Sequence, residues 1–227
     1  SYIVARASQG VANYLKQNQA QPAVVIGYDS RNNSRKFAEI TAAVFAANGI
    51  KVHIWPELMP VPTVSFATRY LKAAAGIMIT ASHNPAKYNG YKVYGADGCQ
   101  ITTEAANSIL AEINKLDIFK DVKKADFQTA LASQQISYID DAVYNGFLKE
   151  VKQQSVLFGE EVQKDAAIVY TPLNGTGLKP VTQILAEAGY TNIKIVPEQK
   201  LPDGNFPTCP YPNPELAEAL KLGIEYA

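Results

Sequence analysis

The residues best suited to chemistry in this chain lie between positions 80 and 92, where the sequence reads T-A-S-H-N-P-A-K-Y-N-G-Y-K. A hydroxyl (Ser82), an imidazole (His83), an amide (Asn84) and two lysines follow the apolar run 73–79 directly. The Asn-Pro and Asn-Gly pairs predict a turn-rich loop. A serine hydroxyl is a nucleophile when a base or a metal prepares it. The alternative interpretation is a plain polar connection between two strands.

Alternating patterns along residues 1–115 predict the elements that must position this loop. Val4, Val11 and Leu15 recur at helical spacing, and Ala23–Tyr28 is a short β-branched run of the buried-strand type. The predicted helices are 2–19, 34–48 with Ser34 as its N-cap, 63–72, and one capped by Thr102 or Thr103 and running to 115. The predicted strands are 23–28, 50–55, 73–80 and 91–94. This order indicates an α/β fold, a layered α/β/α domain with a mostly parallel mixed sheet.

The predicted loop at 80–92 follows one of these strands. Open α/β sheets usually bind their ligands beyond the carboxyl ends of the strands. The order of elements therefore supports a binding or catalytic site around Ser82.

The second half of the chain restarts the strand and helix alternation after a shift in composition at 155–164. We predict a polar surface segment at 117–135, an irregular loop at 202–214 and an incomplete second α/β unit. The predicted helices are 140–154, 178–188 and 215–222, and the predicted strands are 166–170 and 193–196. The predicted domains are therefore 1–160 and 161–227.

Composition excludes several classes of function. The net charge is zero, from 21 basic and 21 acidic residues, so no nucleic-acid partner is expected. No apolar stretch approaches the length of a membrane span, and no signal peptide is visible, so neither a membrane partner nor export is expected. Cys99 and Cys209 could pair, but a reduced cytoplasmic protein is the simpler interpretation. Two histidines and two cysteines offer no zinc-ligand spacing.

Several segments in order resemble the α-D-phosphohexomutases, the phosphoglucomutase/phosphomannomutase superfamily. T-A-S-H-N-P followed by Y-N-G-Y-K, at 80–92, resembles the phosphoserine loop of that family. G-Y-D-S-R at 27–31 resembles the segment after its first core strand, and Y-T-P-L-N-G at 170–175 the opening of its second domain. P-D-G-N-F-P-T at 202–208 and P-N-P-E at 212–215 resemble a later loop of that domain.

The resemblance implies a role for each residue that matches a motif. Ser82 would carry a phosphoryl group, donate it to a sugar phosphate and take one back from a hexose 1,6-bisphosphate intermediate. His83 and Asn84 would steady the phosphate, and Lys92 would assist the transfer through its charge. A Mg²⁺ ion would bind Ser82 through its phosphate. The implied partner is a small-molecule sugar phosphate, and the implied enzyme is an intramolecular phosphotransferase of the isomerase class.

Other interpretations of these residues stay open. Ser82 and His83 could be ordinary loop residues, and Lys87 is better explained as a solvated side chain. Arg31 could bind phosphate as a planar fork, or it could pair with Asp29 and support the Ser82 loop. Gly175 and Gly177 precede a helix, where phosphate can bind, but strand-to-helix turn glycines explain them better.

Parts of the family pattern are missing from the chain. No D-x-D-x-D-R magnesium loop and no N-terminal G-[TS]-x-G-x-R-G segment occurs among the 227 residues. We therefore expect a phosphoserine-bearing part of a mutase that is inactive alone. The competing hypothesis is a non-catalytic phosphate-binding or scaffold module with the same fold. Sugar identity, whether glucose, mannose or pentose phosphate, cannot be deduced from these residues.

Overall fold

The computed structural model describes residues 1–157 and 159–227 and contains two compact units. The first comprises Ser1–Asp29, Asn33–Thr80 and Gly90–Asp140. The second comprises Ser30–Asn32, Ala81–Asn89 and Asp141–Ala227. Two short segments of the N-terminal half are therefore part of the second unit. Among the described residues, no helix is both long and apolar enough to cross a membrane.

A five-stranded sheet forms the centre of the first unit, in the order β4-β3-β1-β2-β5. Its strands are β1 (Ala23–Tyr28), β2 (Lys51–Ile54), β3 (Ala75–Ile79), β4 (Tyr91–Gly95) and β5 (Ile136–Tyr138). β1 pairs in parallel with β2 and β3, β2 pairs in parallel with β5, and β4 runs antiparallel to β3. The mostly parallel mixed sheet predicted from the sequence is confirmed.

Helices cover both faces of this sheet. They are α1 (Tyr2–Asn18), α2 (Ser34–Ala47), α3 (Val61–Tyr70), α4 (Thr103–Asn114) and α5 (Phe127–Ala132). Ile26 of β1 lies in the core with α1 and α2, whereas its neighbour Gly27 faces α3. A Cβ at Gly76 of β3 would lie 2.4 Å from Thr68 Oγ1 of α3, so a residue without a side chain lets this helix approach. Both faces of the central strands are buried, which explains their continuous apolar runs.

Two local predictions for the first unit are wrong. Asn33, with φ of 67°, is the N-cap of α2, and Ser34 is its first helical residue. The Ser34 hydroxyl instead donates to Asp29 Oδ1 at 2.7 Å. The segment 117–135 is not merely a polar surface, because it contains α5, in which Ala130 is buried. Asp126 caps this helix by accepting from Thr129 N at 2.8 Å.

The second unit contains a two-stranded parallel sheet of β6 (Ile168–Tyr170) and β7 (Ile193–Ile195). Its helices are α6 (Asp141–Gln153), α7 (Leu178–Glu187), α8 (Pro197–Lys200) and α9 (Ala217–Tyr226). α9 begins two residues later than predicted and continues to Tyr226. The predicted domain limit at 160/161 lies inside the stretch that begins at Asp141, and it stays a prediction.

Candidate active site

The candidate site is built on the Ser82 loop, residues 81–89, which connects the antiparallel strands β3 and β4 in the chain. Two consecutive turns shape it. Asn84 N donates to Ala81 O at 3.1 Å, and Tyr88 N donates to Pro85 O at 3.0 Å. The Asn-Pro and Asn-Gly punctuation predicted such a turn-rich loop, and the structure confirms it.

Ser82 occupies a strained position at the start of this loop. Its φ is 54°, in the left-handed region that side chains with a Cβ rarely adopt. Ser82, His83 and Asn84 are all exposed, although Ala81 before them is buried. Strain of this kind persists only where the surroundings over-determine the backbone, and it is concentrated at functional sites. The conformation therefore presents three consecutive polar side chains to solvent.

Arg31 supplies much of that surrounding structure. It is 3% exposed, and its two terminal nitrogens donate to four carbonyl oxygens of the Ser82 loop. Nη2 donates to Ser82 O at 2.8 Å and also to Asn84 O, while Nη1 donates to Pro85 O at 3.0 Å and Tyr88 O at 3.1 Å. These bonds hold the loop backbone, and the predicted phosphate-binding role of Arg31 stays a prediction. A rigid guanidinium fork suits this task because its donors have fixed directions.

The side chain of Asn84 also belongs to the internal structure of the loop. Its Nδ2 donates to Ala81 O at 3.0 Å, the same oxygen that accepts its backbone N–H. The side chain therefore closes the first turn, and the predicted contact with a phosphate stays a prediction. The role of the exposed His83 stays a prediction as well.

Lys92 lies in the first unit, as the second residue of β4, where it pairs with Met78 of β3. It is half-buried on a strand, so the sheet fixes the position of its backbone. Ser82, His83, Asn84 and Arg31 all lie together in the second unit. The predicted role of Lys92 in phosphoryl transfer stays a prediction.

Sequence reasoning assigned no role to the residues around Gly204, yet they contact the segment that carries Arg31. The Phe206 ring lies with its centroid 5.1 Å from the Arg31 guanidinium carbon, and Phe206 is 3% exposed. Asn32 Nδ2 donates to Asn205 Oδ1 at 2.9 Å. The P-D-G-N-F-P-T motif was the available signal, but a motif in a loop does not identify its contact 173 positions away.

Both cysteines are free in the structure. Cys99 is exposed and Cys209 is buried. Burial raises the pKa of the Cys209 thiol, and its Sγ donates to Tyr211 O at 3.0 Å. A thiol with a raised pKa is a poor nucleophile at neutral pH.

Comparison with known families identifies two successive matches. Residues 1–119 match the phosphoglucomutase/phosphomannomutase α/β/α domain I, and residues 145–227 match α/β/α domain II. A phosphoglucomutase from Staphylococcus haemolyticus is 38% identical over 226 residues, which is 100% of this chain and 40% of that protein. A phosphoribomutase from Saccharomyces cerevisiae is 38% identical over 99% of this chain and 38% of its own length.

A solved structure from Thermus thermophilus, described as a putative phosphomannomutase, has the same fold, with a TM-score of 0.82. It is 24% identical, and the match covers 98% of this chain and 47% of that one. This likeness establishes the fold alone. The chain spans about two fifths of the length of the curated relatives it matches.

Proposed function

The chain belongs to the phosphoglucomutase/phosphomannomutase family, and from this premise we propose that it is the phosphoserine-bearing part of a phosphosugar mutase. The complete protein would interconvert the 1-phosphate and the 6-phosphate of a hexose, or the corresponding phosphates of a pentose. The full reaction is proposed for the protein as its gene encodes it, because these residues span about two fifths of their relatives. The proposed location is the cytoplasm.

The observation that carries this proposal is the exposed Ser82 on a strained, internally bonded loop. Phosphoryl transfer depends mainly on positioning and on neutralising charge, with little covalent work for the protein. A carrier hydroxyl must therefore be accessible to the sugar and also fixed in space. Exposure provides access to Ser82, and the four bonds from Arg31 to the loop carbonyls hold the backbone.

Two transfers in opposite directions would account for the isomerisation. A sugar hydroxyl attacks the phosphorus on Ser82, the bond between phosphorus and Ser82 Oγ breaks, and a proton passes from the sugar hydroxyl to Oγ. The product is a sugar bisphosphate. After it reorients, Ser82 Oγ attacks the phosphorus of the other phosphate, the bond between that phosphorus and the sugar oxygen breaks, and the Oγ proton passes to the sugar oxygen. Phosphate is neither gained nor lost.

The neighbouring side chains would assist these transfers. We propose that His83 and Asn84 orient the phosphate, since they follow Ser82 directly and are exposed. Lys92 would contribute positive charge that stabilises the transferring phosphoryl group. Arg31 would hold the loop rather than bind the substrate.

A magnesium ion is the proposed cofactor, and this chain would supply only one of its ligands. Within residues 1–157 and 159–227, no group of three His, Cys, Asp or Glu side chains is arranged to hold a metal ion. The phosphate on Ser82 would contribute a hard oxygen, the donor type that Mg²⁺ prefers. When bound, the ion would neutralise charge on the transferring group.

The test is an isomerisation assay of the complete protein, primed with hexose 1,6-bisphosphate. Glucose, mannose and ribose 1-phosphates are supplied separately, and the products are separated by chromatography. We expect conversion of at least one sugar phosphate, its loss with EDTA and its recovery with Mg²⁺. A protein that binds sugar phosphate but converts none of the three would contradict the proposal and favour the scaffold hypothesis.

A further inference from the structure

We propose that residues 203–209, the Gly204 loop, position the Ser82 loop through Arg31, and that Phe206 is a positioning residue for phosphoryl transfer. This inference rests on the proposed function for its kinetic consequence. Its structural part concerns contacts inside the second unit and can be tested without any turnover.

Arg31 is enclosed between the Ser82 loop and Phe206. Four loop carbonyls accept its N–H groups, and the Phe206 ring lies 5.1 Å from the guanidinium carbon. Arg31 and Phe206 are each 3% exposed. An aromatic face attracts a cation, and the attraction is stronger where water is excluded. The ring also excludes water that would compete with the carbonyls for the guanidinium. Phe206 therefore helps to hold Arg31 in the geometry that the Ser82 loop requires.

The Gly204 loop also contacts the backbone of the Arg31 segment directly. A Cβ at Gly204 would lie 2.5 Å from Asn32 N and 2.9 Å from the carbonyl carbon of Arg31, so only glycine permits this approach. Beside it, Asn205 Oδ1 accepts from Asn32 Nδ2 at 2.9 Å. Asn32 O in turn accepts from Asn89 Nδ2 at 3.2 Å. A continuous series of contacts thus runs from the Gly204 loop to the far end of the Ser82 loop.

Hydrogen bonds also anchor the Gly204 loop to other segments of the second unit. Asp203 N donates to Asn174 O at 3.0 Å. Gln199 Nε2 donates to Thr208 Oγ1 at 3.1 Å, and Gln199 is 1% exposed. Phe206 itself has a φ of 48°, a strained conformation that these bonds help to maintain. The Gly204 loop is therefore held firmly enough to fix Arg31.

The consequence should be kinetic rather than a loss of substrate affinity. Small displacements of a reacting group reduce turnover strongly, by about 10²-fold for ~1 Å. Phe206 is buried and contacts Arg31, so its replacement should lower kcat and leave KM for the sugar phosphate nearly unchanged.

The experiment compares Phe206→Leu and the milder Asn205→Ala with two control variants in the complete protein. Leu148→Ala, in α6, removes a buried side chain of the same unit. Asn192→Ala removes an exposed asparagine that bonds Asp165 O. Steady-state kinetics, the unfolding midpoint and amide hydrogen exchange of residues 82–90 are measured for all four. Asn205 is exposed, so its variant is expected to fold even if Phe206→Leu does not.

We expect Phe206→Leu to lower kcat about 10-fold or more, with KM within about 2-fold, and to accelerate exchange at residues 82–90. Asn205→Ala should lower kcat about 3-fold and also accelerate exchange at residues 82–90. The two control variants should leave kcat and the hydrogen exchange of the Ser82 loop unchanged. Wild-type kcat and exchange in the folded Gly204-loop variants would overturn the inference. So would an equal fall of kcat in Leu148→Ala, since stability alone would then explain the effect. A wild-type protein without mutase activity would refute the proposed function, and the exchange data would still decide the positioning role.

Discussion

The Ser82 loop and the turn at residues 171–177 each follow a β-strand in the chain, and each contains non-glycine residues with positive φ. Ser82 has a φ of 54°, and Leu173 and Asn174 have values of 50° and 55°. A buried polar side chain that bonds backbone carbonyls helps to hold each of these two segments. Arg31 bonds four carbonyls of the Ser82 loop, and Asn174 Nδ2 bonds Glu198 O at 3.2 Å and Leu201 O at 2.8 Å.

The two differ in where the anchoring side chain comes from. Arg31 lies 51 positions from Ser82, so an outside residue supports that loop and its own Ser82 and His83 remain exposed. Asn174 belongs to its own turn and is 3% exposed. Thr171 also serves the fold, because its hydroxyl donates to Gln199 Oε1 at 2.7 Å and accepts from Leu173 N at 3.0 Å. A strained loop that is anchored from outside can keep its side chains for chemistry.

The largest expected effect is on mutase activity, and it distinguishes the hydroxyl of Ser82 from that of Thr171. Ser82→Ala should lower mutase activity of the complete protein by about 10⁴-fold or more, because no phosphoryl carrier remains, with little change in stability. Thr171→Val should cost about 1–3 kcal/mol of stability, because Gln199 Oε1 and Leu173 N lose their partner. Initial rates and urea denaturation measure both. Wild-type turnover by Ser82→Ala would refute the assignment.

Next in size is the loss of stability expected when the buried side chain of Asn174 is removed. Asn174→Ala leaves two carbonyl oxygens without their donor and places alanine at a φ of 55°, so we expect a destabilisation of about 2–3 kcal/mol. The urea midpoint measures it. Asn205→Ala, an exposed asparagine with one side-chain bond to Asn32, is the matched control and should cost less than about 1 kcal/mol. Equal losses of stability in both variants would show that the buried side chain of Asn174 stabilises the fold no more than the exposed side chain of Asn205.

A smaller effect should reveal the strain at Ser82. With φ at 54°, Ser82→Gly should be more stable than Ser82→Ala by about 0.5–1 kcal/mol, because only glycine adopts this region without a steric cost. Both variants lack the hydroxyl, so the comparison isolates the backbone. Equal thermal midpoints would mean that the loop relaxes without cost, and that strain is not a property the two turns share.

The smallest effect is the pH dependence of stability caused by His53 in the first unit. It determines the pH at which the stabilities of the turn variants should be compared. Burial, and secondarily the charge of Lys51, lower the pKa of His53 below its ordinary value of 6.5. The unfolded chain then binds a proton more readily than the folded one, so stability should fall as pH drops below about 6.5 and be unaffected by His53 above it. Urea midpoints at about pH 7.5 and about pH 5.5 measure this, and His53→Gln should reduce the difference. An unchanged difference in that variant would exclude His53 as the cause.

Much of the fold could be predicted from the sequence because its central strands are buried on both faces. The bounds of β1 are those predicted, and β3 and β4 were placed within two residues at each end. Three short elements, α5, β5 and α8, were missed. β5 has three residues and α5 has six, too few for a periodic pattern, and tertiary packing rather than local propensity stabilises them.

For the candidate site, local turns could be predicted from the sequence, whereas contacts between distant residues could not. The positions of Ser82, His83 and Asn84 on a turn-rich loop followed from Asn-Pro and Asn-Gly spacing. The bonds from Arg31 to the Ser82 loop could not be predicted, because the partners of Arg31 lie more than 50 positions away. Serine favours the N-cap position, which is why the sequence predicted Ser34 as a helix cap, but Asp29 competes for its hydroxyl.

The most direct test of the central claim is peptide mass spectrometry of the complete protein purified from its own host, before and after incubation with hexose 1,6-bisphosphate. We predict a phosphoryl group on Ser82, absent from Ser30 and Ser34 and lost after incubation with an excess of sugar monophosphate. Ser82 without phosphate in either sample would rule out its role as the phosphoryl carrier, because a carrier that is never loaded cannot transfer.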